Sequence, residues 1–254
     1  MRIKVINPNT TQSMTDKIGE CARAVARPGT QIVAVSPAMG PASIESHYDE
    51  ALAVPGLLQE VATGELEGVD GYVIACFGDP GLQAARELAR GPVVGIAQAA
   101  MHVASLVGTR FSVVTTLGRT MGQAWHLAEM YGMKGFCANV RACEIAVLDL
   151  EKPGSNARER IVDECRRALA EDGSDAIVLG CAGMAELCQH ISQQLGVPVV
   201  DGVAAGTQLV ESLVNLRLGT SKHGELAAPL PKPMTGLLSD FTLPARKAVL
   251  QRAA

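Results

Sequence analysis

The sequence predicts an α/β fold of two similar lobes, each a parallel sheet flanked by helices, related by a pseudo-twofold axis with a cleft between them. Three observations carry this expectation. The segment Asp70-Gly-Tyr-Val-Ile-Ala-Cys76 returns as Asp175-Ala-Ile-Val-Leu-Gly-Cys181; both read Asp-x-x-Val-x-x-Cys, at an offset of 105 positions. Short aliphatic runs alternate with helical patterns, the signature of βαβ units and a parallel sheet. The composition is 48% hydrophobic but only 3% aromatic, which suits strands buried on both faces and built from Val, Ile, Leu and Ala.

The first strand begins at once, over Arg2-Ile-Lys-Val-Ile6. No apolar signal core precedes it, and no run of about 18 apolar residues occurs. The chain therefore reads as soluble and cytoplasmic, with no membrane association. Asn9-Thr10-Thr11 offer N-caps for a helix over about residues 11–26. Gln31–Val35 is the second strand, 70–76 the third and 91–96 the fourth. In the second half, Phe111–Thr115 resembles Ile3–Asn7, and Glu144–Leu148 is taken as the counterpart of Gln31–Val35. A helix over about 155–171 follows, then strands at 175–181 and 196–201. A last helix over about 204–217 carries Leu209, Val210, Leu213 and Leu216 at helical spacing. The first lobe is expected to span 1–96 plus 203–228, and the second 97–202. Residues 229–254 form a Pro-rich C-terminal tail that begins near Ala227-Ala-Pro-Leu-Pro-Lys-Pro-Met234. The sequence leaves 235–254 open between a short docking helix and a loose arm.

Net charge is −4, without blocks of like charge, so no nucleic-acid footprint is present. The seven cysteines are an odd number and include no CxxC pair. They read as thiols rather than disulfides or zinc ligands. The histidines show no metal spacing. No GxGxxG or P-loop follows the first strand, and no lysine lies in a pyridoxal-phosphate context. No cofactor or metal is expected.

Cys76 and Cys181 each end an apolar strand, where ligands of parallel α/β sheets sit. Helix N-termini expected just beyond them would lower the thiol pKa values. Across one cleft, a thiolate and a thiol on opposite faces of a carbon supply the base and acid that racemisation needs. With each sulfur at near-attack distance, the two would stand roughly 7 Å apart. Backbone N–H groups after each cysteine are candidates to hold the enolate oxygen. Cys21, Cys137, Cys143, Cys165 and Cys188 have no repeat partner and read as structural. His47 is weighed between the cleft mouth and a surface helix start. Asp201 is weighed between the cleft and a helix cap. Asp79 is read as the N-cap of the helix after Cys76, with Pro80 in its first turn, and Lys222-His223 as structural or interfacial.

At these residues the chain closely resembles the hydantoin and allantoin racemases of the Asp/Glu racemase superfamily. The matching motifs are Ile6-Asn-Pro-Asn-Thr10, Pro41-Ala-Ser-Ile-Glu45, Ile74-Ala-Cys-Phe-Gly-Asp-Pro-Gly81, Val113-Val-Thr-Thr116, Val178-Leu-Gly-Cys-Ala-Gly-Met184, Pro198-Val-Val-Asp-Gly202 and Thr220-Ser-Lys-His-Gly224. They cover residue 1 to about 228. The resemblance implies a cofactor-independent, homo-oligomeric racemase of a cyclic ureide that uses two cysteines. It implies substrate contacts from Asn9, Thr10, Ser43, Phe77, Gly78, Thr115, Thr116, Ala182 and Gly183. Amino-acid racemases of the superfamily tend to carry Thr-His after the second cysteine. Ala182-Gly183 stands there instead, which argues against aspartate or glutamate. An Asp often occupies the Gly78 position in hydantoin racemases. Its absence is read as room for the polar ureido group of allantoin. The alternatives are a two-cysteine isomerase, an arylmalonate-type decarboxylase, or a two-lobed small-molecule binding protein.

Overall fold

In a computed structural model, described over residues 1–152 and 154–243, the chain builds two parallel four-stranded sheets. It runs β1 (Arg2–Ile6), α1 (Gln12–Val25), β2 (Gln31–Val35), α2 (His47–Glu67), β3 (Gly71–Ile74), α3 (Leu82–Leu88) and β4 (Val93–Gly95), then crosses through α4 (Ile96–Val107). The pattern repeats as β5 (Phe111–Thr115), α5 (Met121–Met130), β6 (Cys137–Ala142), α6 (Ala157–Glu171), β7 (Ala176–Gly180), α7 (Cys188–Leu195), β8 (Val199–Val200) and α8 (Gly202–Asn215). The sheet orders are β2-β1-β3-β4 and β6-β5-β7-β8. The two lobes thus share one topology.

The repeated Asp has a structural reason. Asp70 accepts the Arg2 N–H at 2.7 Å, locking the start of β3 to β1. Asp175 accepts the Thr109 and Arg110 N–H groups, each at 3.0 Å, and does the same for β7 and β5. Each Asp fixes strand register at one end, and the Cys that ends the same repeat emerges at the other.

Two expectations need correction. Strand β6 lies at Cys137–Ala142, not at 144–148. It is an edge strand whose Asn139 and Arg141 bond to Asp172, and these polar residues hid it. Residues 144–148 leave the sheet instead: Glu144 is left-handed at φ 53°, and a 3-10 turn spans Val147–Glu151. Of their apolar side chains, Val147 is buried in the pocket wall and Ile145 in the core of the second lobe, while Leu148 is exposed. The last helix ends at Asn215, so Leu216 is 67% exposed and not part of the apolar face. In the tail, Gly236–Phe241 forms a 3-10 turn with no buried residue and with Leu237 fully exposed. Residues 244–254 lie outside the described residues. No helix among the described residues is long and apolar enough to cross a membrane.

Candidate active site

From β1 the chain moves outward to β2 and then back across to β3; the second sheet reverses in the same way between β5 and β7. Ligands of such sheets bind beyond the strand carboxyl ends at this reversal. Both reversals open onto one pocket. It is lined by Asn9 after β1, by Ala75, Cys76, Phe77 and Gly78 after β3, by Thr115 and Thr116 at β5, and by Gly180, Cys181 and Ala182 at β7. Met14, Ile44, Thr120, Gln123, Ala124 and Val147 complete the wall.

The two cysteines sit in matching turns. The Cys76 carbonyl accepts the Asp79 N–H at 3.0 Å, and the Cys181 carbonyl accepts the Met184 N–H at 3.1 Å. In each turn the N–H two residues on, Gly78 or Gly183, is aimed at the sulfur and favours its thiolate. The expected fall in thiol pKa does not occur. Burial is the largest effect on both, pushing Cys76 up to about 12 and Cys181 up to about 11. The N–H groups oppose this, while Cys181, Asp79 and Glu50 raise Cys76 further and Glu45 raises Cys181. One reason is local: α3 begins only at Leu82, so no helix N-terminus supports Cys76. Because Cys76 feels the charge of Cys181, a thiolate–thiol pair forms more easily than two thiolates.

The remaining predicted residues divide into two groups. Asn9 is buried; its Oδ1 accepts from Asn7 Nδ2 and the Thr11 N–H, both at 2.9 Å. Thr115 donates to Gly180 O at 3.2 Å, and Thr116 is buried at the pocket wall. Thr10 instead ties its loop to Pro41 O, Ser43 does not line the pocket although its neighbour Ile44 does, and the Gly183 N–H favours the Cys181 thiolate without the residue lining the pocket. His47 is 86% exposed on the rim, 3.8 Å from Glu50.

Asp79 is a correction with consequences. It does not cap α3. Its carboxylate accepts the Ala97 N–H at 3.0 Å and the Gln98 N–H at 2.9 Å, capping the inter-lobe helix α4, and it accepts the Tyr131 hydroxyl at 2.7 Å from the second lobe. In lobe two the same service is local: Asp201 caps α8 through Val203 N and Ala204 N. The position equivalent to Asp201 is Gly95, the N-cap residue of α4. A Cβ on Gly95 would stand 2.2–2.5 Å from the Asp79 carboxyl atoms. Gly95 therefore vacates the space that Asp79 fills.

Residues 3–210 match the family model described as Asp/Glu/Hydantoin racemase. The chain belongs to the Asp/Glu/hydantoin racemase family. A solved allantoin racemase from Klebsiella pneumoniae is 55% identical, with a TM-score of 0.94, covering 95% of this chain and 99% of that one. The allantoin racemase of Pseudomonas fluorescens is 43% identical, with a TM-score of 0.89, over 93% of this chain and 100% of that one. A hydantoin racemase of Pseudomonas sp. (strain NS671) is 50% identical over 95% of this chain and 97% of its own length. The protein is a racemase, an isomerase of small molecules.

Sequence reading missed several groups of the racemase. Gln123 Nε2 donates to Glu50 Oε2 at 2.6 Å, joining α5 to α2 across the cleft. Glu45 Oε1 accepts the Val147 N–H at 2.6 Å, a second link between the lobes. Neither pair carries a spacing signal, because the partners lie 73 and 102 positions apart.

Proposed function

We propose that the racemase inverts the ring carbon C5 of a five-membered cyclic ureide, allantoin foremost, with Cys76 and Cys181 as its base and acid. The observation that supports this most is the pair of matching turns. Two thiols, each with an N–H that stabilises its anion, line one pocket from opposite lobes. One thiolate removes the C5 proton. The electron pair delocalises onto the adjacent ring carbonyl as an enolate. The opposite thiol then delivers its proton to the other face, leaving the two cysteines with exchanged protonation states. The next turnover runs the opposite way, or solvent re-equilibrates the pair. The enolate oxygen falls to polar groups of the wall, the side chains of Thr116 and Asn9 among them. The similarity to proteins named hydantoin and allantoin racemases supports the substrate class.

Polarimetry of enantiopure allantoin, 5-benzylhydantoin and 5-isobutylhydantoin, without added cofactor, tests the reading. Rotation of allantoin should decay to zero fastest. If no ring substrate loses rotation above its uncatalysed rate, the substrate class is wrong.

A further inference from the structure

The space over Gly78 is not open. A Cβ built there would stand 2.7 Å from Gln123 Nε2 and 3.5 Å from Glu50 Oε1. The residue beside Cys76 is small because an amide from the other lobe rests on it. Gln123 and Gly78 line both the reacting pocket and a larger outer cavity, whose wall also includes Glu50, Arg119, His126 and Tyr131. The Glu50–Gln123 hydrogen bond is the partition between the two. The Gln123 NH2 faces a carboxylate, which fixes the amide's orientation: its donor end is held by Glu50, and its Oε1 is left as an acceptor.

A substrate whose ring carbon sits between the sulfurs must direct its 5-substituent somewhere, and the partition stands beside Cys76. A ureido group carries adjacent N–H donors that match the two oxygens of a carboxylate, and a carbonyl that accepts from an amide NH2. We propose that Gln123, backed by Glu50, is the residue that reads the ring substituent: a hydrogen-bonding substituent replaces the Glu50–Gln123 bond with bonds to both partners and extends into the outer cavity. An alkyl substituent breaks the same bond and replaces it with nothing. Gln123 and Glu50 are half-buried, and leaving such polar groups without their partner disfavours an analogue that cannot replace the bond. This inference rests on the ring-racemase reading above.

The test compares kcat/KM for enantiopure allantoin and 5-isobutylhydantoin in the wild type, Gln123→Met, Gly78→Ala and the double variant. Methionine keeps the length of glutamine without its hydrogen bonds. Gly78 is not in a left-handed conformation, so alanine fits its backbone, and its methyl displaces the amide. Gln123→Met should lower the allantoin value by about 10- to 100-fold and leave the isobutyl value unchanged or raised. Gly78→Ala should move the ratio of the two substrates in the same direction. The double variant should change it no further, because both substitutions remove one interaction. Equal loss on both substrates in Gln123→Met, or fully multiplicative effects in the double variant, would overturn the assignment of Gln123 while leaving the racemase reading intact. A wild type inactive on both rings would defeat the underlying reading and this one with it.

Discussion

Replacing Asp79 by asparagine tests whether this carboxylate is ionised and buried while holding the lobes together. Asparagine tolerates the left-handed backbone that Asp79 occupies at φ 45°. Burial is the largest effect on Asp79 and raises its carboxyl to about 6, against the opposing bonds from Tyr131, Ala97 and Gln98. A carboxyl with a raised folded-state pKa binds its proton more tightly when folded than when unfolded. Its contribution to stability is therefore fully present below the ordinary value of 3.8 and is lost as pH rises towards about 6. Carrying the two values through the linkage relation gives a loss of about 2 kcal/mol between pH 4.5 and 7.5. The Asp79→Asn variant has no proton to exchange at this position and lacks this loss. It also loses an acceptor for one of the α4 amides, at a cost of about 1 kcal/mol that does not depend on pH. Urea unfolding of both proteins at the two pH values reads the difference directly. The wild type should fall by about 2 kcal/mol relative to the variant as pH rises. A stability gap equal at pH 4.5 and 7.5 would show that Asp79 keeps an ordinary pKa and that the argument from burial is wrong.

Two further outcomes follow from the same geometry. Gly95→Asp should destabilise by more than about 2 kcal/mol, as expected of overpacking against a fixed group, because its Cβ meets the Asp79 carboxyl at 2.2–2.5 Å; adding Asp79→Gly, which suits the left-handed backbone there, should recover much of the loss, since the new carboxylate at position 95 then caps α4 as Asp201 caps α8, and thermal melts check both. With Cys181 raised to about 11 and Cys76 to about 12, the thiolate that starts the reaction is scarce at neutral pH, so kcat/KM should climb about tenfold per pH unit between 7 and 9; a plateau reached below pH 8 would show that the thiolate forms far more easily than its burial implies.

The architecture was legible because each lobe repeats both its strand pattern and the Asp that locks it. Asp70 and Asp175 make the same bond between neighbouring strands, so the same letters recur. The cysteines were legible for the same reason: they end equivalent strands. Strand β6 was not, because its polar edge residues, Asn139 and Arg141, are satisfied by Asp172 far along the chain. The Glu144–Leu148 run resembled a strand through its apolar residues alone, and instead Val147 lines the pocket and Ile145 fills the core of the second lobe. Asp79 looked like a local cap, since it stands just before a helix. Its left-handed turn aims the carboxylate at α4 instead, and the vacancy at Gly95 that permits this is invisible without the fold. Gln123 and Glu50 carry no local pattern, and only the facing of the two lobes brings them together. Gly78 was read as empty space for a substituent; the structure fills that space with the Gln123 amide.

The central claim is that two cysteines act on opposite faces of one carbon, and the most direct measurement follows deuterium early in the reaction. Enantiopure allantoin is incubated in heavy water with the racemase and stopped at low conversion. Each enantiomer is then separated, and its C5 isotope content is read by mass spectrometry. Two-base transfer predicts deuterium in the newly formed enantiomer, delivered by the second thiol, and protium retained in the starting one. Cys76→Ser and Cys181→Ser should each abolish the conversion. Protium in the new enantiomer, equal deuterium in both, or near-normal conversion by either single variant would contradict the two-cysteine account.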